Sequence, residues 1–385
     1  MKSIILLKRV PRLILSGAAA CRSSFQAMRA APSGLKALQE VMTSWGTETN
    51  PKSKSTVHSD AALPASANGW KIGPPPLKQI FRPLWFRMRI AITFFAARLP
   101  IHFANDQVFV LGCGRSGTTV IGECIGADAD VLYLNEPYYL WYNVTPQTDF
   151  SGLIGKRGDC WLLPSDIEGK QLKRFEKIMS SLALIKRRKY IVEKTPINSL
   201  RVNWLLCLSP KARFVVVRRK WIEIVNSIME ISANHTYKVG FRNYHAWWGH
   251  DYLKVKSLLD RNPFDLASQT FRSFIEERLI AKDFSAVDIN MAVFEVIASK
   301  VAIDRALTEN NMTEDDYVEI EYGRFIKDPF AEINRVIKWL KRGEDPKLLP
   351  TAFSQVKLRV KSNQMSEHEV IGKIHSDLRN KMYYL

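Results

Sequence analysis

The chain has 385 residues, 46% of them hydrophobic and 24% charged, which are ordinary fractions for a globular protein. Its formal net charge of +18 suits anionic partners, but no nucleic-acid-binding motif accompanies that charge, so we predict no nucleic-acid role. No apolar run reaches the eighteen or so residues that a membrane-spanning helix needs, so we predict no transmembrane segment. The cysteines lack metal-ligand spacing, and Cys160 and Cys207 either pair or remain two buried thiols.

The N-terminal extension divides by composition into two parts. Residues 1–45 resemble a targeting leader, because seven basic residues and no acidic one precede Glu40. We therefore expect an organellar or membrane-associated location, with plain disorder of the segment and a cytoplasmic location as the alternatives. Residues 46–76 are rich in Ser, Thr, Asn, Pro and Lys, and this composition predicts a linker.

Residues 77–105 form a basic, aromatic and amphipathic segment. Aromatic residues alternate there with arginines, and no acidic residue occurs between Asp60 and Asp106. Such a segment can lie on an anionic bilayer, so peripheral membrane contact through residues 77–103 is one interpretation. The other is a helix that packs its apolar face on the following domain, which we place at residues 106–385.

That domain begins with a strand, a glycine-rich loop and a helix. An apolar run at 108–111 is followed by the loop at 112–117 and then by residues of helical composition. Backbone N–H groups of such a loop and the positive end of the helix favour an anion, so we predict a phosphate site. The predicted cofactor-binding residues of this loop are Arg115, Ser116, Gly117, Thr118 and Thr119.

The loop differs from the P-loop of nucleotide hydrolases at one decisive position. Gly112 and Gly117 fit the spacing of that motif, but Thr118 stands where the motif has lysine. The cation of the loop is instead Arg115, followed by two hydroxyls. This Arg-Ser-Gly-Thr-Thr sequence resembles the 5′-phosphosulfate loop of sulfotransferases that use 3′-phosphoadenosine-5′-phosphosulfate, PAPS. The resemblance implies PAPS as sulfuryl donor and no metal; a glycine-rich turn without a ligand is the alternative.

Two further strands end in residues suited to catalysis. Glu136 resembles the general base of tyrosylprotein and several carbohydrate sulfotransferases, which must remove a proton because an alcohol is otherwise a poor nucleophile. Lys194 stands where the resembling enzymes have a lysine that reaches the transferring group. Cytosolic members place a catalytic histidine two residues later, where this chain has Pro196. The resemblance therefore implies Glu136, Lys194 and Arg115 as catalytic residues; a helix cap or a surface ion pair is the alternative for the first two.

A fourth stretch resembles the 3′-phosphate motif of the same enzymes. That motif has an arginine at a strand end and a serine eight positions later, and Arg219 with Ser227 fits this spacing, whereas Arg218 is one residue out of register. A planar guanidinium and a hydroxyl are suited to holding a second phosphate. The resemblance implies both as cofactor-binding residues.

Strands that alternate with helices predict an α/β fold with a P-loop-like, mainly parallel sheet flanked by helices. We predict transfer of a sulfuryl group from PAPS to an acceptor hydroxyl by in-line displacement. The aromatic side chains within residues 138–142 suit either stacking on a sugar or packing in the core. Together with the positive charge, they favour a sugar hydroxyl, on a glycan or glycolipid, as the acceptor. The alternatives are a P-loop kinase or NTPase, and a non-catalytic membrane-associated protein that retains the fold.

Overall fold

A computed structural model of the chain describes residues 77–100, 106–150, 154–156, 158–233, 238–239, 242–243, 259–261, 268–281, 289–348 and 364–385. Every described residue lies in one compact unit, Val57–Leu385. The predicted leader and linker lie outside the described residues.

A five-stranded sheet forms the centre of the domain. Its strand order is β2-β3-β1-β4-β7, and every neighbouring pair is parallel. The two remaining strands pair with each other in an antiparallel ladder. The parallel sheet with flanking helices confirms the predicted fold class. The strands are β1 (Asp106–Leu111), β2 (Val131–Asn135), β3 (Tyr190–Lys194), β4 (Arg213–Arg218), β5 (Lys238–Val239), β6 (Arg242–Asn243) and β7 (Tyr317–Glu321).

Helices connect and cover these strands. One of them begins as its sequence predicts, because Asp328 accepts a hydrogen bond from Ala331 N and Pro329 occupies the first turn. The helices are α1 (Leu77–Ala96), α2 (Thr118–Ile125), α3 (Tyr138–Val144), α4 (Gly169–Lys186), α5 (Val202–Leu208), α6 (Trp221–Ala233), α7 (Gln269–Ala281), α8 (Ile289–Glu309), α9 (Tyr322–Lys327), α10 (Pro329–Leu340), α11 (Glu367–Lys373) and α12 (Ser376–Asn380).

Both faces of the sheet are buried at β1 and β4, which explains the apolar runs in these two strands, whereas the edge strand β7 exposes Glu319 and Glu321. On β1, Val108 and Val110 lie in an apolar cluster with side chains of α2 and α10. Phe109 points to the opposite face, where its ring centroid lies 6.2 Å from that of Trp141 and 6.0 Å from that of Phe214. The alternation of side chains along a strand therefore places aliphatic residues on one face and aromatic residues on the other.

Helix α1 packs one face on α3. The Asn143 amide donates hydrogen bonds to Ile90 O and to Thr93 Oγ1, and both threonine and asparagine are buried. The Arg89 guanidinium lies 5.2 Å from the ring centroid of Trp85 and 5.5 Å from that of Tyr139. The structure thus shows the packing that the second interpretation of this segment predicts.

Candidate active site

The loop after β1 has a backbone that its glycines make possible. Gly117 has a φ of 100°, and a Cβ atom placed on it would lie 2.3 Å from Cε2 of Tyr322. Glycine is therefore required there both by the backbone and by the neighbouring ring. At the start of the loop, Ser199 Oγ accepts a hydrogen bond from Gly112 N (2.8 Å) and donates one to Gly112 O (2.9 Å). The buried serine fixes the residue at which the chain leaves the sheet.

Several polar groups of the loop suit an anionic phosphate. No side chain caps the N-terminus of α2, so its first N–H groups can donate to a ligand. Ser116 Oγ is buried and has no hydrogen-bond partner among the residues that the structure describes. A phosphate oxygen would satisfy such a donor, so the loop fits the 5′-phosphosulfate group that the sequence implies.

Glu136 and Lys194 meet beside this loop, at the carboxyl ends of β2 and β3. Lys194 Nζ lies 2.6 Å from Glu136 Oε1 and donates a hydrogen bond of 2.8 Å to Thr119 Oγ1. The lysine side chain is fully buried, whereas that of Glu136 keeps 29% of its surface exposed. Lys194 is therefore not the surface residue of the alternative interpretation. Nor does Glu136 cap the next helix, whose N-cap is Pro137.

The loop after β1 contacts the chain after β4 through Arg115, which pairs with Ser227 and Arg219. Arg115 Nε donates to Ser227 Oγ at 3.2 Å, and Arg219 Nη1 donates to Arg115 O at 2.9 Å. Arg219 Nε also pairs with Glu223 at 2.8 Å. Arg218, by contrast, forms ion pairs with Asp304 and Glu319. Both residues of the predicted eight-residue spacing therefore contact Arg115, whereas Arg218, which is out of register, pairs with carboxylates elsewhere.

This arrangement occurs within a segment that matches a known family. Residues 107–260 match the model of the sulfotransferase family. This segment is therefore similar to that family, whose general reaction is sulfuryl transfer. The matched segment contains all the predicted site residues.

Solved structures similar to this chain include two sulfotransferases. One is the sulfotransferase domain from the curacin biosynthetic pathway, with 11% identity, a TM-score of 0.39, and coverage of 70% of this chain and 83% of that one. Another is a sulfotransferase from Mycobacterium tuberculosis, with 12% identity, a TM-score of 0.37, and coverage of 69% and 76%. No curated protein matches the chain significantly.

The domain also contains a buried carboxyl group, Glu193, that is not among the predicted site residues. Burial raises the pKa of Glu193 to about 7, and hydrogen bonds and the charge of Lys194 act in the opposite direction. Its oxygens accept hydrogen bonds from Thr195 Oγ1, from Trp141 Nε1 at 2.9 Å and from Asn198 Nδ2 at 3.0 Å. These contacts join β3 to α3 and to the turn after β3.

A second carboxyl group, that of Glu123 on α2, interacts electrostatically with Lys194 and Tyr133. Burial raises the pKa of Glu123, and the positive charge of Lys194 acts in the opposite direction. Burial also raises the pKa of Tyr133, with Glu123 and Glu136 contributing in the same direction. The charge of Lys194 therefore acts on more than one carboxylate of the domain.

Two residues make contacts with the predicted ones that sequence reasoning missed. Tyr322 packs against Gly117, and its ring centroid lies 4.5 Å from the Arg219 guanidinium. The Tyr138 hydroxyl donates a hydrogen bond to Glu136 Oε2 at 3.0 Å. One signal could have found Tyr322: it directly follows a parallel strand, and residues at the carboxyl ends of such strands form the ligand site.

The described residues also bear on metal binding and on membrane crossing. Across the described residues, no group of three or more His, Cys, Asp or Glu side chains could hold a metal ion. In the same part of the chain, no helix has both the length and the apolar character that crossing a bilayer requires. Cys160 and Cys207 are both free thiols, the first buried and the second exposed.

Proposed function

We propose that this protein transfers a sulfuryl group from PAPS to an acceptor hydroxyl, with Glu136 as the general base. The observation that carries the proposal is the chain of contacts from Thr119 through Lys194 to Glu136, which places a carboxylate and a buried cation beside a phosphate-binding loop. A hydroxyl acceptor needs such a base, and a developing anion needs such a cation.

Each residue has a role that its contacts support. PAPS, when bound, supplies a sulfuryl group attached to a phosphate that leaves as an anion. Glu136 accepts the acceptor proton on a carboxylate that is partly exposed. Lys194 uses two of its three N–H donors on Thr119 and Glu136, so a third remains for an anionic oxygen. Arg115 neutralises charge between the two phosphate-binding segments, where it already contacts Ser227.

The positions of the remaining residues in the loop after β1 and in the chain after β4 suggest their contacts with the two phosphates of the cofactor. Ser116, Gly117, Thr118 and Thr119 hold the 5′-phosphate at the start of α2, and Arg219 with Ser227 holds the 3′-phosphate. This second phosphate distinguishes PAPS from ATP. No metal is required, because side-chain cations neutralise the charge.

For the acceptor we propose a sugar hydroxyl, on a glycan or glycolipid. Of the aromatic residues 138–142, Tyr139 and Trp141 are buried in the core, and the part-exposed Tyr138 and Tyr142 remain suited to stacking on a sugar. The high positive charge of the chain favours an anionic glycan among sugars.

Calorimetric binding of 3′-phosphoadenosine 5′-phosphate (PAP) tests the cofactor. We expect the wild type to bind PAP without metal, and Arg219→Ala to weaken that binding at least ten-fold. Arg218→Ala is the matched control, because its guanidinium pairs with Asp304 and Glu319 instead. If ATP with Mg²⁺ binds and PAP does not, the sulfotransferase proposal fails and a P-loop kinase or NTPase replaces it.

We also propose peripheral membrane contact through α1. The face of α1 and its C-terminal extension that points away from α3 exposes Arg87, Phe95 and Leu99, which are spaced for one helical face. The full chain should pellet with vesicles that contain phosphatidylserine, and less so as salt rises. Phe95→Ser combined with Leu99→Ser should reduce pelleting, and Leu184→Ser, an equally exposed leucine of α4, should not. Equal binding of the double variant, or equal binding to neutral vesicles, would refute this contact.

A further inference from the structure

Asn226 joins helix α6 to the C-terminal part of the chain. Its amide Nδ2 donates to Met365 O at 2.9 Å, and its Oδ1 accepts from Met365 N, also at 2.9 Å. The same Nδ2 donates to Ile222 O one turn earlier on α6, at 3.0 Å. The Asn226 side chain therefore pairs with both polar groups of one backbone residue, as a neighbouring strand would.

The C-terminal part is itself firmly anchored. Ser366 caps α11, because its Oγ accepts from Glu369 N and its own N–H donates to the Glu369 carboxylate at 2.7 Å. The apolar side chains that follow are buried in the same cluster as those of α6. Members of this shared cluster are Val370, Ile374 and Leu378 from the C-terminal part and Ile224, Val225 and Ile228 from α6.

Asn226 directly precedes Ser227, and the two side chains point in different directions. Consecutive residues of a helix are separated by about 100° around its axis. Ser227 points to the phosphate loop, where its Oγ accepts from Arg115, while Asn226 points to Met365. The rotation of α6 about its axis therefore decides where the Ser227 hydroxyl lies, and the Asn226 amide fixes that rotation against the C-terminal part.

We propose that Asn226 is a positioning residue for the 3′-phosphate, acting through Ser227. This inference rests on the proposed function, because it assigns the 3′-phosphate of PAPS to Arg219 and Ser227. A displacement of about 1 Å at a binding group is enough to impair a phosphate contact. Loss of the amide should therefore weaken ligands that carry a 3′-phosphate and spare those that carry only a 5′-phosphate.

Calorimetry with PAP and AMP on the full chain tests this selectivity. We expect Asn226→Ala to weaken PAP binding at least ten-fold and to change AMP binding less than two-fold. The matched control is Asn203→Ala, which removes an amide that also bridges two elements, through Glu309 and Asn310, away from the phosphate loop. Unchanged PAP binding by Asn226→Ala, or an equal loss of PAP and AMP, would overturn the positioning role.

A double-mutant cycle separates positioning from general stabilisation. Because Asn226 acts through Ser227, Asn226→Ala should cause no further loss of PAP affinity in a Ser227→Ala background. Additive losses would contradict the proposal. If Asn226→Ala does not fold, Asn226→Asp replaces it, since Asp keeps the acceptor for Met365 N and loses the amide donor to Met365 O and Ile222 O. Equal affinity of the wild type for PAP and AMP would instead refute the 3′-phosphate site, and with it the proposed function.

Discussion

Glu136 is held by two residues that each contact it twice. Its backbone N–H donates to Lys194 O at 2.7 Å, and Lys194 Nζ lies 2.6 Å from its Oε1. Its carbonyl accepts from Tyr138 N at 2.8 Å, and its Oε2 accepts from the Tyr138 hydroxyl at 3.0 Å. These contacts maintain a φ of 47°, which is uncommon for a residue with a side chain. Such a strained residue persists only where its surroundings impose it, and strained residues concentrate at functional sites.

Replacing Glu136 by Gln should abolish most turnover while preserving the cofactor site. The amide cannot accept the acceptor proton, so we expect PAPS consumption with a screened acceptor to fall by about 10²–10⁴-fold. PAP affinity, measured by calorimetry, should change little. Glu123→Gln is the control, because that carboxyl also lies under the influence of Lys194 but is not placed in the reaction. Equal losses in the two variants would contradict the base assignment.

Gly117→Ala should destabilise the protein by about 2–4 kcal/mol, because a left-handed backbone and a ring contact both oppose a methyl group. Urea unfolding measures this cost. Tyr322→Ala in the same chain should recover the part due to the ring contact, while the backbone part remains. Gly169→Ala serves as control, since a Cβ there meets no atom within 4 Å and should be tolerated. A neutral Gly117→Ala would show that the loop relaxes freely.

At the scale of elements, β3 directs two consecutive charged side chains to opposite faces of the sheet. Lys194 points to the phosphate loop, whereas Glu193 accepts hydrogen bonds from α3 and from the following turn. One strand thus supplies the candidate site with its cation and fixes, through Trp141, the helix that begins beside Glu136. The alternation of side chains along the strand produces both effects.

Glu193 should make stability depend on pH. Its pKa is raised from 4.5 to about 7 in the folded protein, so between these values the folded state binds more protons than the unfolded state. The free energy of unfolding therefore falls as pH rises through this window, by about 3 kcal/mol in total. Urea unfolding at pH 5 and pH 7 measures the change, and Glu193→Gln should remove it.

The exposed Glu344 provides the control for this titration. Glu344→Gln should leave the pH dependence of the wild type unchanged, because its side chain is 62% exposed. The comparison isolates Glu193 from the other titrating groups. Parallel pH profiles for wild type and Glu193→Gln would exclude Glu193 as their source.

Much of the element structure could be predicted from local sequence. Apolar runs predict β1 to β4 together with the residues that follow them, and Asp328 with Pro329 is a helix-start signal at the beginning of α10. The order of strands in the sheet and the partner of each polar residue depend on contacts distant in sequence. Gly112 and Ser199, for example, are 87 residues apart. Nothing in the sequence near Ser199 distinguishes it from an ordinary core serine.

At the scale of the whole molecule, the candidate site gathers one contribution from each strand of the parallel sheet. The phosphate loop follows β1, Glu136 follows β2, Lys194 ends β3, Arg219 follows β4, and Tyr322 follows β7. Parallel strands all end at the same edge, so residues more than 200 positions apart meet there. Local sequence predicted all of these contributions except Tyr322, whereas their proximity results from the topology of the sheet.

The net charge of the whole chain should accelerate cofactor association. A net charge of +18 attracts a polyanion over a long range, and dissolved salt screens this attraction. The association rate constant for PAP should therefore fall as ionic strength rises. Stopped-flow measurements between low and high salt would record this slope. AMP carries less charge and should show a smaller slope. Rates for PAP that are independent of salt would exclude long-range attraction.

The burial of Lys194 beside Glu136 has a consequence for gene duplicates that lose catalysis. Losing Glu136 alone leaves the fully buried Lys194 without its opposite charge, and an unpaired buried charge costs several kcal/mol. Replacing both residues by neutral ones of similar size is often neutral or stabilising. A duplicated gene that is no longer selected for turnover should therefore rarely lose Glu136 alone. It should more often lose both Glu136 and Lys194. Relatives that lack the pair together are then expected to be pseudoenzymes that keep the fold.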